Sequence, residues 1–314
     1  MLQGKIISVI IPAYNEENNI GRVIETIPDF VDRIIIVNDG STDQTLDRIR
    51  SFLHSIHDRS NLSIPHPGNI SGYNIESSMS ENSRILIIHH SGNYGKGAGI
   101  RTGYQLCKML PVNCIATMDG DGQMDPNDLR AICEPVVNDT ADYTKGDRLS
   151  YKDVRKIMPS IRYLENLALT LLTKISSGYW NITDAQTGYT CISHQKLCEI
   201  NIDHLYPYYG YPNEMLALLN VQSARLREVQ VRPIYESHHQ SKMTIIKVIP
   251  RITFLLARSY VKRIWEKYFR KKVHPVSILL ISSILLFPFT PSIAIVLFII
   301  ATYWDIRIGN KLVI

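Results

Sequence analysis

Cysteine is scarce in this chain, and none of it is paired in sequence. The five cysteines, at 107, 114, 133, 191 and 198, include no CxxC pair. That argues against a zinc site and a disulfide framework, and it suits a reducing compartment. A large excess of one charge is also lacking. A formal net charge of +5 over 314 residues is far from that of a protein coating nucleic acid, so no nucleic-acid partner is expected. The first residues, MLQGKIISVIIPAYNEE, carry one lysine and no long apolar run before Pro12. They read as the start of a strand, not as a signal peptide.

Several catalytic signatures are missing. The stretch Gly92–Gly99 is glycine-rich, but Gly97 follows Lys96 where a P-loop requires Ser or Thr, and the GxGxxG spacing fails there. There is no Gly-x-Ser-x-Gly elbow and no HExxH helix. The pairs His89-His90 and His238-His239 have no third ligand at a suitable spacing, so they read as structural or surface residues.

What is present is an alternation of two periods. Short β-branched runs at 6–11, 33–38, 84–89 and 114–118 are separated by helical patterns at about 17–28, 43–54, 96–110 and 126–138. Continuous apolar strands alternating with helices predict an α/β fold, its mostly parallel sheet covered on both faces. The segment 55–83, rich in Ser, Asn, His, Pro and Gly, breaks the rhythm and reads as a mobile surface insertion, with a functional lid as the alternative.

In such sheets ligands bind at the carboxyl ends of the strands. Each end here is polar: PAYNEE at 12–17, NDGSTD at 38–43, NYGKG at 93–97 and DGDGQ at 119–123. Residues two apart in an extended segment share a side, so Asp119 and Asp121 converge on one point. Such hard oxygen ligands suit Mg or Mn, with a substrate diphosphate completing the shell. The competing reading is an acidic turn, with Asp125-Pro126 opening the next helix.

These blocks carry a resemblance. SVIIPAYNEENNIGRVI, IIIVNDGSTDQTL, NYGKGAGIRTGY, ATMDGDGQMDP and DAQTGYTCIS resemble, in order and spacing over about residues 5–240, the successive blocks of family 2 glycosyltransferases with the GT-A fold. The DxDGQ form, the lack of a QxxRW motif and the apolar C-terminus are similar to the polyprenyl- and dolichyl-phosphate glycosyltransferases. The resemblance implies an inverting transfer of one sugar from a nucleotide-sugar donor to a polyprenyl or dolichyl phosphate. The DAQTG form tilts the donor towards a UDP-sugar over GDP-mannose. It also implies roles by position. Pro12, Tyr14 and Glu16 would contact the nucleoside, with Asp39 near the base, and Lys96 would belong to the donor site. Asp119 would lie near ribose and diphosphate and, with Asp121 and Gln123, hold the metal. Asp184, Gln186 and Thr187 would line the sugar pocket. Lys145, Arg148 and Arg162 would meet the acceptor phosphate, although each also reads as an ordinary surface cation. Where the lipid-phosphate enzymes carry an Arg/Gly-rich stretch ending in Ser-Lys, this chain has YESHHQSKM. Lys242 matches and, with Asp121 and Arg148, would be catalytic by closing over the diphosphate, whereas the preceding Gly and Arg do not match.

The C-terminal region points to lipid independently. Between Lys247 and Lys272 nine Lys/Arg face a single acid, Glu266, and Ile249, Ile252, Leu255, Leu256, Tyr260, Ile264, Trp265, Tyr268 and Phe269 interleave with them. This is the pattern of a basic amphipathic helix lying on a membrane; a helix packed on the catalytic domain is the alternative. No charge occurs from Val276 to Trp304. Each half of that run is shorter than the roughly 20 residues of a full span. A transmembrane helical hairpin over 274–306, turning near 288–291, is therefore expected, and a single kinked span is the alternative. The basic segment places the 1–240 domain on the cytoplasmic face of the cell membrane. A family 2 enzyme acting on another lipid or glycan, and a non-catalytic scaffold binding nucleotide-sugar, are the competing functions. Nothing in the sequence sets the oligomeric state, and a homo-oligomer is compatible with it.

Overall fold

The computed structural model describes residues 1–53, 75–77, 84–234, 245–270 and 274–314. The first half alternates as expected: β1 (Ile7–Ala13), α1 (Ile20–Thr26), β2 (Arg33–Asn38), α2 (Thr45–Leu53), β3 (Ile75–Ser77), β4 (Ile85–His90), α3 (Lys96–Met109), β5 (Cys114–Thr117) and α4 (Leu129–Val137). Then follow β6 (Tyr143–Asp147), α5 (Val154–Ile157), α6 (Ser160–Ser177), β7 (Thr190–Ser193), α7 (His194–Glu199), α8 (Tyr211–Val221) and β8 (Leu226–Gln230). Three helices close the chain: α9 (Ile245–Ile264), α10 (Pro275–Leu286) and α11 (Pro291–Asn310).

The strands form one sheet in the order β3-β4-β2-β1-β5-β7-β6-β8. Strands β4, β2, β1 and β5 are parallel neighbours, as are β6 and β8, whereas β7 runs antiparallel to both β5 and β6. The parallel strands are apolar at successive positions because both their faces are covered. Ile10, Ile35, Val37, Leu86 and Ile88 join Ile100 and Tyr104 of α3 in one core. The alternate residues Val9, Ile11, Ile34, Ile36 and Ile87 join Ile20, Val23 and Ile24 of α1 and Leu129 and Ile132 of α4 in the other. Full burial of one such side chain stabilises the fold by about 1.5–3 kcal/mol.

Three features differ from, or refine, the sequence pattern. Within the polar segment 55–83, Ile75–Ser77 pairs antiparallel with β4 as the edge strand; its remaining residues lie outside the described ones. Helix α9 buries Ile252, Leu255 and Leu256 where it packs on α6 and α8 of the catalytic domain, and Tyr268 of its helical continuation is buried against Val276 of α10 and Ala301 of α11. Those apolar positions are therefore taken by protein and are not offered to lipid; the outward stripe is Arg251, Phe254, Arg258, Val261 and Trp265. Finally, α11 is longer than expected because it continues beyond Trp304 to Asn310. It is long and apolar enough to cross a membrane, and α10 is a shorter apolar helix packed against it.

Helix α6 has an inverted character. Its outer face shows Ile161, Leu164 and Leu171 at 68, 64 and 57% exposure, while Thr170, Thr173, Ser176 and Ser177 are buried. The buried hydroxyls do structural work at the site: Thr170 Oγ1 accepts from the backbone N–H of Ala185 at 3.1 Å, and Thr173 Oγ1 bonds Asn213 Oδ1 at 3.0 Å.

Candidate active site

Strand β1 ends in a loop that is laced to the loop after β2. The backbone N–H of Asn15, at φ 53°, donates to Ser41 Oγ (3.0 Å), and Asn15 Oδ1 accepts from Thr42 N (2.9 Å). The Glu16 N–H donates to Thr45 Oγ1 at 2.8 Å. Pro12 ends beside Gly99 and Gly120, and Tyr14 and Glu16 are partly exposed at the same strand end. Asp39 is buried. Its carboxylate pairs with His90 Nδ1 (2.7 Å) and accepts from the backbone N–H groups of Tyr94 (3.1 Å) and Gly95 (2.7 Å). Its observed work is to shape the glycine-rich turn that opens α3. His90 completes that relay through Thr102 Oγ1 at 3.0 Å, which gives the histidine the structural place expected of it.

That turn delivers Lys96, whose Nζ lies 2.6 Å from Asp119 Oδ2. Two residues on, Asp121 Oδ1 accepts from the backbone N–H of Gln123 at 3.0 Å. Burial pushes the Asp121 carboxyl up to about 6; the charge of Asp119 adds to this and that of Lys96 opposes it. Burial works against the Lys96 ammonium, but Asp119 and Asp121 outweigh it and hold Lys96 above its ordinary range. A pair of acids this strained electrostatically, with a lysine already drawn in, is a place suited to a cation. Among the described residues no group of three or more His, Cys, Asp or Glu is arranged to hold a metal, so a divalent ion here would need oxygen from its substrate as well.

The DAQTG segment comes in from the side. Thr117 Oγ1, at the end of β5, donates to the Gly188 carbonyl at 2.6 Å. A side chain at Gly188 would meet the Tyr211 hydroxyl at 2.7 Å, and Lys96 Nζ and Asp119 Oδ1 lie only 3.6 and 3.7 Å from that Cβ position. The absence of a Cβ thus lets this loop reach the strand-end acids. Asp184, fully buried, is gripped by Arg148 through Nε (2.7 Å) and Nη2 (3.1 Å). Burial alone would raise its pKa, yet Arg148 and then Lys145 hold it down at about 2. Gln186 donates through Nε2 to Asn213 Oδ1 (3.0 Å), and Thr187 Oγ1 accepts from Tyr189 N (3.2 Å).

The structure brings Asp119, Gln123, Arg148 and Thr187 together around one cleft, closed by Met124, Tyr189 and the segment Val231–Ile234. It separates others. Lys145 is buried, its ammonium given to the Asp184 carbonyl, and burial lowers its pKa. That placement makes it a support of Asp184, because a phosphate cannot reach a cation enclosed within β6. Arg162 sits in the first turn of α6, outside the cleft lining. Lys242 lies outside the described residues. Two participants escaped the sequence reading. Arg232 lines the cleft beside Arg148, and Glu228 accepts from the backbone N–H groups of Thr183 (2.6 Å) and Asp184 (3.0 Å). Glu228 lies within the last strand and Arg232 just after it, where no motif marked them.

The sequence profile of "Glycosyl transferase family 2" matches residues 8–199, more than half of the chain. The chain belongs to that family. This family 2 glycosyltransferase is 28% identical over 253 residues to the UDP-N-acetylglucosamine–dolichyl-phosphate N-acetylglucosaminyltransferase of Methanococcus voltae, covering 80% of this chain and 95% of that one. It is 23% identical to a dolichyl-phosphate beta-glucosyltransferase of Trichomonas vaginalis, covering 84% and 77% of the two chains. Among solved structures it resembles the glucosyl-3-phosphoglycerate synthase of Mycobacterium tuberculosis in complex with Mn2+, UDP and phosphoglyceric acid. The TM-score is 0.54 at 17% identity, covering 83% of this chain and 78% of that one. The likeness fixes the fold as GT-A.

Proposed function

We propose that this glycosyltransferase moves one sugar from a nucleotide-sugar, a UDP-sugar in preference to GDP-mannose, to a polyprenyl or dolichyl phosphate at the cytoplasmic face of a membrane. The observation that carries the reading is one cleft lined by Asp119, Gln123, Arg148 and Thr187, with Asp119 paired to Lys96 and Arg148 paired to the buried Asp184 behind it. The activities of the Methanococcus and Trichomonas relatives, both dolichyl-phosphate transferases, support the acceptor class.

The chemistry needs little beyond these groups. Asp119, Asp121 and Gln123 would hold Mg or Mn, which would supply positive charge to the departing diphosphate. Pro12, Tyr14 and Glu16 would seat the nucleoside, and Lys96 would neutralise diphosphate charge as the bond to the sugar breaks. Gln186 and Thr187 would orient the sugar, and the buried Asp184 would act behind them by holding Arg148. Arg148, with Arg232, lines the side from which an acceptor phosphate would come. A phosphate monoester, with a second pKa of about 6, is already largely ionised at neutral pH. It needs positioning more than deprotonation, so inversion by direct displacement requires no dedicated base here. The outward Leu/Ile face of α6 and the Arg/aromatic stripe of α9 would rest on the bilayer and bring the lipid phosphate to this cleft.

Hydrolysis of a panel of UDP- and GDP-sugars by the purified protein, with and without divalent metal, tests the donor half. Metal-dependent release of the nucleoside diphosphate from one donor is expected. A scaffold that only binds nucleotide-sugar would release none from any donor.

A further inference from the structure

The uncharged run folds as two antiparallel arms packed on each other, and its C-terminal end is fastened to the catalytic domain. The root of α10 is capped by His274, whose Nδ1 accepts from Val276 N at 3.2 Å. The far end of α11 is held more firmly. Asp305 receives Nη1 and Nη2 of the buried Arg263 at 2.7 and 2.9 Å, and the Tyr268 hydroxyl at 2.5 Å. One turn later Gly309 lies so close to Gly178 that a Cβ would overlap its carbonyl oxygen. The last residues then add to the sheet edge: Leu226 N donates to Leu312 O at 2.7 Å, and Ile314 N to Leu226 O at 2.9 Å. The final turn of α11 is therefore occupied by protein and unavailable to lipid.

What remains for a bilayer is short. The twelve residues of α10 rise about 18 Å at about 1.5 Å per residue. Pro291 to Trp304 rises about 21 Å, against a hydrocarbon core of about 30 Å. The two arms agree in length. Their tip, Phe287 to Thr290, carries no charge and exposes Phe287 and Phe289 at 58 and 81%. At the other end, Trp265, Tyr303 and Trp304 are exposed beside the Arg263–Asp305 anchor, with Arg258 and Arg270 on the same helical segment as Trp265. Trp, Tyr and basic residues at the root, with only Phe, Pro and Thr at the tip, mark one membrane–water interface, not two.

We propose that α10 and α11 form a re-entrant hairpin that enters the bilayer and leaves it on the same face, its tip buried in hydrocarbon short of the opposite surface. The inference rests on the membrane attachment proposed above and departs from a hairpin that spans. The device keeps the C-terminus on the side of the active site. It also sets the height of the catalytic domain through a rigid strap, since any change in depth must break the Arg263–Asp305 pair or the pairing at Leu226.

Site-directed labelling of the full-length chain in sealed membrane vesicles of both orientations tests it. Cys198 is exposed on the catalytic domain and the other four cysteines are buried. With a membrane-impermeant maleimide, native Cys198 should react from one face only. In a Cys198→Ser background, Thr290→Cys should react from neither face until detergent is added, and Ser292→Cys should do the same in case the first variant fails to accumulate. Labelling of either position from the face opposite Cys198 would show that the hairpin crosses and overturn the proposal, leaving membrane attachment intact. Labelling from the same face as Cys198, together with release of the protein by high salt, would overturn the attachment itself.

Discussion

Lys96 Nζ stands 2.6 Å from Asp119 Oδ2, so the site carries its own cation against the first acid while the second, Asp121, is left at about 6. The two carboxylates are thus unequal. Asp119 is neutralised from within the chain, and Asp121 has the unmet demand for positive charge.

Asp121→Asn should lower turnover by about a hundredfold or more, as when stabilisation of developing charge is lost. It should also raise the melting temperature of metal-free protein at pH 7. The sign follows from linkage: a carboxyl with a folded pKa of about 6, above the ordinary value, binds its proton more tightly when folded. Stability is therefore lost as pH rises from about 4 to about 6, and the asparagine removes that loss. Added Mn2+ should stabilise the wild type and leave Asp121→Asn unmoved. A donor-turnover assay reads the first effect, and differential scanning fluorimetry across pH, with and without metal, reads the other two; equal metal shifts in both proteins would remove Asp121 from the metal site.

Arg148→Ala should unfold more easily than an exposed arginine variant, because it strands the buried Asp184. Removing one partner of a buried pair costs about 3–5 kcal/mol, an upper bound here since Lys145 also holds Asp184. Arg148→Lys should fold, retain donor binding and weaken acceptor use, since lysine lacks the planar fork. Asp184 is depressed to about 2, so its stabilising share is present above the ordinary carboxylate pKa and is lost as pH falls towards 2. In Arg148→Lys the acid-unfolding midpoint should move to higher pH. A midpoint unchanged from the wild type would mean that Arg148 does not support Asp184.

Ending the chain at residue 273 should do more than remove a membrane anchor. It takes Asp305 from Arg263 and Leu312–Ile314 from Leu226, so the melting temperature should drop by several degrees, as expected of a loss of about 3 kcal/mol in a chain of this size. The truncated protein should leave membranes in high salt, because basic residues near anionic lipid contribute about 1 kcal/mol each and are screened. Asp305→Asn in the full chain should reproduce part of the melting shift while resisting salt extraction. Identical behaviour of both variants in the extraction assay would contradict the anchoring role of the apolar arms.

Leu164→Glu with Leu171→Glu should leave the melting temperature within about 1 °C, since surface substitutions away from packed contacts change little. The apparent KM for a long-chain lipid phosphate should rise at least severalfold, and that for a short soluble analogue should not. Co-sedimentation with anionic vesicles and kinetics on both acceptors check this; equal effects on the two acceptors would point to damage in the cleft and not at a lipid face.

Much of the sheet and its polar strand ends was legible in sequence because four strands are continuous apolar runs, each stopping at acids, glycines or asparagines. The pairing of those ends was less so. Arg148 and Asp184 are 36 residues apart and Asp39 and His90 are 51 apart, and no local period reports contacts of that range. Lys145 reads as an available cation in TKGD; only its place in a strand covered on both faces shows that it is enclosed. In α6 the leucines stand out at helical spacing, but a helix with leucines on one side and threonines on the other normally buries the leucines. The reversal follows from tertiary bonds that no helical period reports: Thr170 holds Ala185 of the DAQTG segment and Thr173 holds Asn213 of α8. The strap at the C-terminus has no signal at all in LVI, three apolar residues after a lysine.

The most direct measurement is the mass of the lipid product. Full-length protein in membranes, given polyprenyl phosphate, Mn2+ and a set of UDP- and GDP-sugars, should yield a polyprenyl phosphate carrying a single sugar from one UDP-sugar, and Asp121→Asn should yield little or none. Nucleotide-sugar turnover with no glycosylated polyprenyl phosphate from any donor, or undiminished product from Asp121→Asn, would contradict the proposed reaction.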